Sequence, residues 1–289
     1  MRKKQPDKKF IPHPENHVCK GMDEWFSGGI PLHERKTEKS ETTAVLRRAQ
    51  DGSKDGERSR TIKPRSFIVA IDGPAGSGKS TVAKHIARKM HFLYIDTGAM
   101  YRAVTLKALR KKVNLVDKEA LIHIAKHSKI KLSSNHRGRQ KVFLDGEDVT
   151  GQIRTPQLTR CVAYIAKVKG VREHMVYLQR KLGRTAHSVL EGRDIGTVVF
   201  PNADIKFYLD ASLDERTLRR FKELKKTNAA ISLDDVKKDV TIRDKKDMTR
   251  KYAPLKRAKD AFYIDTTPLS IKEVTDTLRT IIRKKYGLS

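Results

Sequence analysis

Residues 73–80 of this sequence read GPAGSGKS, and they carry its most specific chemistry. The spacing is G-x-x-x-x-G-K-[ST], in which backbone N–H groups turn inward on phosphate, a lysine reaches the outer phosphates and a hydroxyl meets a metal ion. Gly73, Gly76 and Gly78 supply the backbone freedom, with Pro74, Ala75 and Ser77 between them. Lys79 is expected on the β- and γ-phosphates and Ser80 on Mg²⁺, with Thr81 completing the nucleotide site. The motif points to nucleoside triphosphate binding and leaves the acceptor open.

An anionic acceptor needs further cations, because it must approach a triphosphate that already carries several negative charges. Candidates stand at four places. The stretch YIDTGAMYR offers Asp96 and Thr97 at an apparent strand end and Arg102 one helical turn beyond, and GVREHM offers Arg172. EGRDIGT puts Arg193 and Asp194 just after an expected strand, where ligands of open α/β sheets gather. IRDKKDMTR spaces Arg243, Asp247 and Arg250 along one helix face, so that two guanidinium groups flank a carboxylate. A separate helix, LDERTLRRFKELKK, carries Arg216, Arg219 and Arg220; it reads as a lid whose arginines stabilise a phosphoryl group in transit.

Those residues need a scaffold. SFIVAID, SVLEG, IKFYLD and DAFYID read as buried parallel strands, and STVAKHIARKM, AMYRAVTLKALRKK and the C-terminal SIKEVTDTLRTIIRKKYG as helices. The alternation predicts an α/β fold, a parallel sheet wrapped by helices on both faces. IKLSSNHRGRQKVFLDGEDV reads instead as a small antiparallel insertion. Residues 1–65 show no sustained apolar period and are expected to be a disordered extension; their acidic residues argue against a transit peptide.

Composition narrows the class. The 289 residues contain 63 Lys+Arg and 34 Asp+Glu, a formal charge of +29 that attracts polyanions. Residues 1–65 contribute only +6, which leaves +23 on the remainder. Cys19 and Cys161 form no CxxC pair, and no apolar run approaches the ~20 residues of a membrane span, so a soluble, cytoplasmic protein is expected. A nucleic-acid-binding protein is the rival from another class. No aromatic-interleaved basic platform or zinc-finger spacing supplies a sequence reader, so only salt-sensitive attraction to polyanions is expected.

At the level of longer motifs the sequence resembles one family. IDGPAGSGKST, YIDTGAMYRAV, LDGEDVTGQIRT, VREHM, EGRDIGTVVFPNADIKFYLDAS and the RD..D.TR..APL pattern occur in the order and spacing of bacterial cytidylate kinases, the CMP/dCMP kinases of the nucleoside monophosphate kinase superfamily. The resemblance spans residues 66–289. It implies a P-loop kinase fold with a monophosphate-binding insertion at roughly 118–184 and a short lid at roughly 212–227. The implied reaction moves the γ-phosphate of ATP, with Mg²⁺, to CMP or dCMP. By that pattern Thr97, Arg102 and Arg172 hold the acceptor phosphate or lie close to it, and Asp194 faces the cytosine beside Arg193. Arg243, Asp247 and Arg250 hold sugar and phosphate; Lys79, Arg219 and Arg220 are catalytic. A monomer is implied. The family pattern carries a serine where this chain has Ala163, which predicts weaker selection of cytosine over uracil; AMP or UMP is the competing acceptor.

Overall fold

The apolar run before the phosphate loop is strand β1 (Ile68–Asp72), buried along its whole length, in a computed structural model that describes residues 65–134, 140–226 and 230–287. The expectations for residues 1–64, Cys19 among them, lie outside the described residues. After β1 come helix α1 (Lys79–Met90), strand β2 (Leu93–Asp96), and helices α2 (Thr97–Arg110) and α3 (Lys118–Lys126). Strands β3 (Ile130–Ser134), β4 (Gln140–Leu144) and β5 (Glu147–Asp148) precede helices α4 (Pro156–Ala166) and α5 (Lys169–Gly183). Strands β6 (Ser188–Glu191) and β7 (Ile205–Asp210), helices α6 (Leu213–Lys225) and α7 (Leu233–Thr249), strand β8 (Phe262–Asp265) and helix α8 (Ile271–Tyr286) follow.

Five strands lie side by side in the order β2, β6, β1, β7, β8, all parallel. Their register sets Ile71 and Asp96 each opposite Glu191, and Asp72 opposite Tyr208, so the carboxyl ends of β1, β2, β6 and β7 are nearly level. Loops leaving that edge converge, as an open parallel sheet requires of a ligand site.

Packing holds the edge in place. Val82, Ala83 and Ile86 of α1 and Val274, Leu278 and Ile282 of α8 close over Ile71, Val189 and Phe207 of the sheet. Each large side chain buried there contributes about 1.5–3 kcal/mol, which anchors α1 and hence the loop ahead of it. Helix α8 starts with a capping box between Ser270 and Glu273 and stops at Gly287, whose φ of 79° suits a glycine cap.

Two smaller clusters carry the appendages. Ala99, Ala103 and Leu106 of α2 pack on Val142, Leu144, Ile153 and Leu158, joining the antiparallel sheet to the helix after β2. Strands β3, β4 and β5 form that sheet, with Asp145 and Gly146 turning β4 into β5 at φ 52° and 96°. Leu224, Val236 and Val240 join α6 to α7 as a helical hairpin.

The structure departs from expectation at β8. It was expected to be buried, yet Phe262 is 48% and Tyr263 47% exposed, because β8 is the sheet's edge and pairs with β7 alone. Among the described residues no helix is long and apolar enough to cross a membrane.

Candidate active site

The phosphate loop owes its shape to its neighbours. Gly73 has φ 147°, and a Cβ there would lie 1.9 Å from the carbonyl oxygen of Leu209 on β7, so no other residue fits. Gly73 and Pro74 turn the chain and lie outside the cleft lining, whereas residues 75–82 line it. Gly78, φ 83°, is the N-cap of helix α1 and gives it no side-chain cap, and no acidic residue stands in the first turn. Its free N–H groups and the positive end of its dipole are therefore left to an anion. The Lys79 ammonium is buried, donating to the Pro74 carbonyl and to Ser77 Oγ at 3.1 Å. Burial first, then the Arg193 guanidinium, hold its pKa well below the usual lysine range.

Ser80 Oγ donates to Glu191 at 2.7 Å, and Tyr94 donates to the same carboxylate. Sequence reasoning missed Glu191. Its signal was present as the acid preceding Gly-Arg-Asp at the end of β6. Burial, with Asp96 second, raises its pKa.

On the other side of the cleft stand the acceptor candidates. Asp96 caps α2 by accepting from the Ala99 N–H at 2.7 Å and pairs with Arg102 at 3.0 Å. Burial pushes that carboxyl up, but Arg102 and the cap bond outweigh it and keep the pKa low. Thr97 Oγ1 donates to the Glu191 carbonyl at 2.6 Å. Arg172 pairs with Asp194 and donates to the Ala166 carbonyl at 3.2 Å, with Arg250 3.6 Å from Asp194 on its other side. Asp247 is held by Arg193 at 2.9 Å and Arg250 at 3.2 Å. The two guanidinium groups flanking this carboxylate are thus Arg193 and Arg250, where helix spacing had suggested Arg243 and Arg250. Arg250 is the C-terminal cap of α7, with extended backbone, which frees it to turn back.

Three buried polar atoms in this lining have no hydrogen-bond partner among the described residues: Tyr101 Oη, Arg102 Nε and Arg250 Nη2, the last with only the 3.6 Å ion-pair approach of Asp194. Buried donors left without a hydrogen bond are costly, and their convergence on one pocket points to a ligand site. Tyr101 was also missed in the sequence, because an aromatic residue inside an apolar helix reads as core. Burial raises its pKa to about 12, and the Arg172 guanidinium lies 5.5 Å from its ring centre.

Lid candidates separate by role. Arg219 reaches Thr266 Oγ1 at 2.9 Å, the Thr266 carbonyl at 2.6 Å and Glu215 at 2.7 Å, and lines the cleft beside Gly78. Arg220 also lines it, paired with Glu223 at 2.7 Å. Arg216 is buried away from the lining, against the phosphate loop.

Asp72, at the end of β1, accepts from the N–H groups of Ile195 and Gly196 at 2.8 and 2.7 Å, fixing the turn that follows Arg193 and Asp194. Burial, opposed by those two bonds and reinforced by Asp194, raises its pKa to about 6. Folding therefore takes up a proton between the unfolded and folded pKa values. The group's contribution to stability is greatest below about pH 4 and is lost as pH rises through 6. Asp72→Asn is expected to gain about 3 kcal/mol relative to wild type between pH 4 and pH 7, while its kcat/KM falls about tenfold as the turn loosens. Urea titrations at both pH values decide it; an unchanged stability difference refutes the assignment.

Donor and acceptor features face each other across a single cleft of about 1260 Å³, more than one small ligand needs. The class of protein this defines is a phosphate-loop kinase. Residues 69–284 match the family model for cytidylate kinase. A cytidylate kinase of Geobacillus sp. (strain WCH70) is 50% identical over 76% of this chain and 97% of that protein. One from Desulforamulus reducens is 50% identical over 75% and 96%, and one from Bacillus subtilis (strain 168) 46% over 76% and 98%. The chain belongs to the cytidylate kinase family.

Proposed function

We propose that the protein transfers the γ-phosphate of ATP to CMP or dCMP, giving ADP and the nucleoside diphosphate. The observation that carries this reading is the set of Arg102, Arg193, Arg243 and Arg250 with Asp247, lining one cleft with the phosphate loop. Cations there hold the acceptor phosphate, and Asp247 suits a sugar hydroxyl. Arg172 and Asp194, beside the orphaned Tyr101 hydroxyl, offer donors and an acceptor to a base edge. Thr97 sits at the head of α2 for the acceptor phosphate.

Ser80 and Glu191 present hydroxyl and carboxylate oxygens side by side at the phosphate loop, a donor set that fits the hard, oxygen-seeking Mg²⁺ carried by ATP. Held by these oxygens, such an ion would supply neutralisation of charge on the phosphate oxygens. The protein's own share is positioning and charge stabilisation: Lys79 meets the outer phosphates, the N–H groups at the head of α1 hold them, and Arg219 and Arg220 approach from α6. We assign residues 118–184 to the acceptor-side insertion and 212–227 to the lid, which the separate hydrophobic clusters of those regions support. We take a cytoplasmic monomer as the working unit, as the family resemblance implies.

A coupled ADP-release assay with Mg²⁺–ATP and CMP, dCMP, UMP, AMP and GMP tests the reading. Turnover is expected with CMP and dCMP; turnover with purine monophosphates alone refutes it. Ala163 lines the cleft without a hydroxyl. Ala163→Ser is expected to raise the CMP-over-UMP ratio of kcat/KM about 2- to 10-fold, the worth of one hydrogen bond. An unchanged ratio removes position 163 from base selection.

A further inference from the structure

The phosphate loop is gripped from behind by a buried ion pair that stands outside the cleft lining. The Ala75 N–H donates to Asp244 Oδ1 at 3.0 Å, and Arg216 Nη1 donates to the Ala75 carbonyl at 3.1 Å. Arg216 and Asp244 are paired with each other, and Arg216 Nε also donates to the Ala211 carbonyl at 2.9 Å. Both side chains are more than nine-tenths buried, and neither lines the cleft. The loop is pressed against them: a Cβ on Gly76 would come within 2.8 Å of the Arg216 carbonyl oxygen and 3.0 Å of its Cβ.

Asp244 stands next to Arg243 on α7, the helix that also carries Asp247 and ends at Arg250. One helix therefore faces the acceptor pocket with Arg243 and Asp247 and holds the donor loop with Asp244. Asp244 thus holds the peptide before Ala75 by its N–H and Arg216 the peptide after it by its C=O, so the pair fixes the backbone on both sides of residue 75 and with it the direction in which the loop's following N–H groups point. Any shift of α7 on closing over an acceptor is passed through Asp244 to Ala75.

We propose that the Arg216–Asp244 pair is a positioning device that couples occupancy of the acceptor pocket to the geometry of the phosphate loop. The proposal rests on the nucleotide-kinase reading above. Arg216, which sequence spacing grouped with the lid arginines, acts through the loop and not on the phosphoryl group.

The test is calorimetric titration of the full chain with a non-hydrolysable ATP analogue, with and without saturating CMP, for wild type and Asp244→Asn. In wild type, CMP is expected to tighten analogue binding at least about fivefold, the usual range for coupled sites. In Asp244→Asn that ratio is expected to fall to about one, with CMP affinity in the absence of analogue unchanged and KM for ATP raised at saturating CMP. Arg216→Met with Asp244→Leu replaces the pair by apolar groups of similar volume, a change that buried ion pairs often tolerate; it is expected to fold and to lose the coupling equally. A folded variant with the wild-type ratio overturns the proposal, as does a wild type in which CMP binds without affecting the analogue. A wild type that binds the analogue but no CMP overturns the acceptor reading itself, and the two failures are distinct.

Discussion

Lys79→Met is expected to lower kcat by about 10³-fold while leaving the fold intact, because methionine keeps most of the buried length and removes only the charge. The ammonium lies against the Pro74 carbonyl and Ser77 Oγ, inside the loop it serves. Burial and the neighbouring guanidinium groups of Arg193 and Arg243 disfavour its charged form. An arriving triphosphate reverses that balance, since its negative charge favours the ammonium. Binding of ATP to wild type is therefore expected to take up a proton at alkaline pH, and binding to the variant is not. Titration calorimetry in buffers of different ionisation enthalpy reads this directly. Retained turnover, or equal proton uptake by both proteins, contradicts the role given to Lys79.

The phosphate loop was legible because its determinants are local. Eight consecutive residues specify the turn, the helix start and the lysine, and no distant contact is needed to read them. Arg193, Asp194, Arg243, Asp247 and Arg250 were legible as charge near expected strand and helix ends, and they do line one cleft. Their pairing was not. Asp247 is held by Arg193, 54 positions away in the sequence, a pairing that local spacing along the helix does not encode. Asp244 bonds Ala75 across 169 positions, so nothing in its surroundings of lysine and aspartate distinguishes it from a solvated helix face. Tyr101 and Glu191 were invisible for the opposite reason. Each fits its element so well, as a helix core residue or a strand end, that the pattern gives no reason to single it out. The exposure of β8 depends on the order of strands in the sheet, which hydropathy along one strand does not encode.

On the proposed reading, the acceptor side carries a cost in the free protein that a bound acceptor would relieve. Arg243 lines the cleft, only partly exposed, and makes no ion pair among the described residues. Burial first, then Arg193, with Arg102 and Arg220 adding to the repulsion, bring its pKa down to about 10. It remains protonated at neutral pH, so the free enzyme holds a cation that its surroundings disfavour. Arg243→Met is thus expected to act in opposite directions on activity and stability. kcat/KM for CMP falls about 10²-fold, since a desolvated charge contact to the acceptor phosphate is lost. The melting temperature of the free protein rises by about 2–4 °C, the shift that about 1 kcal/mol produces in a domain of this size. Saturating CMP, which supplies the missing anion, stabilises wild type more than the variant and narrows or reverses the gap. Thermal unfolding with and without CMP, alongside steady-state kinetics, separates the alternatives. A variant that loses activity and stability together has lost packing, and Arg243 is then a structural residue; one that gains stability while losing its response to CMP has lost a cation whose strain is released only by the acceptor.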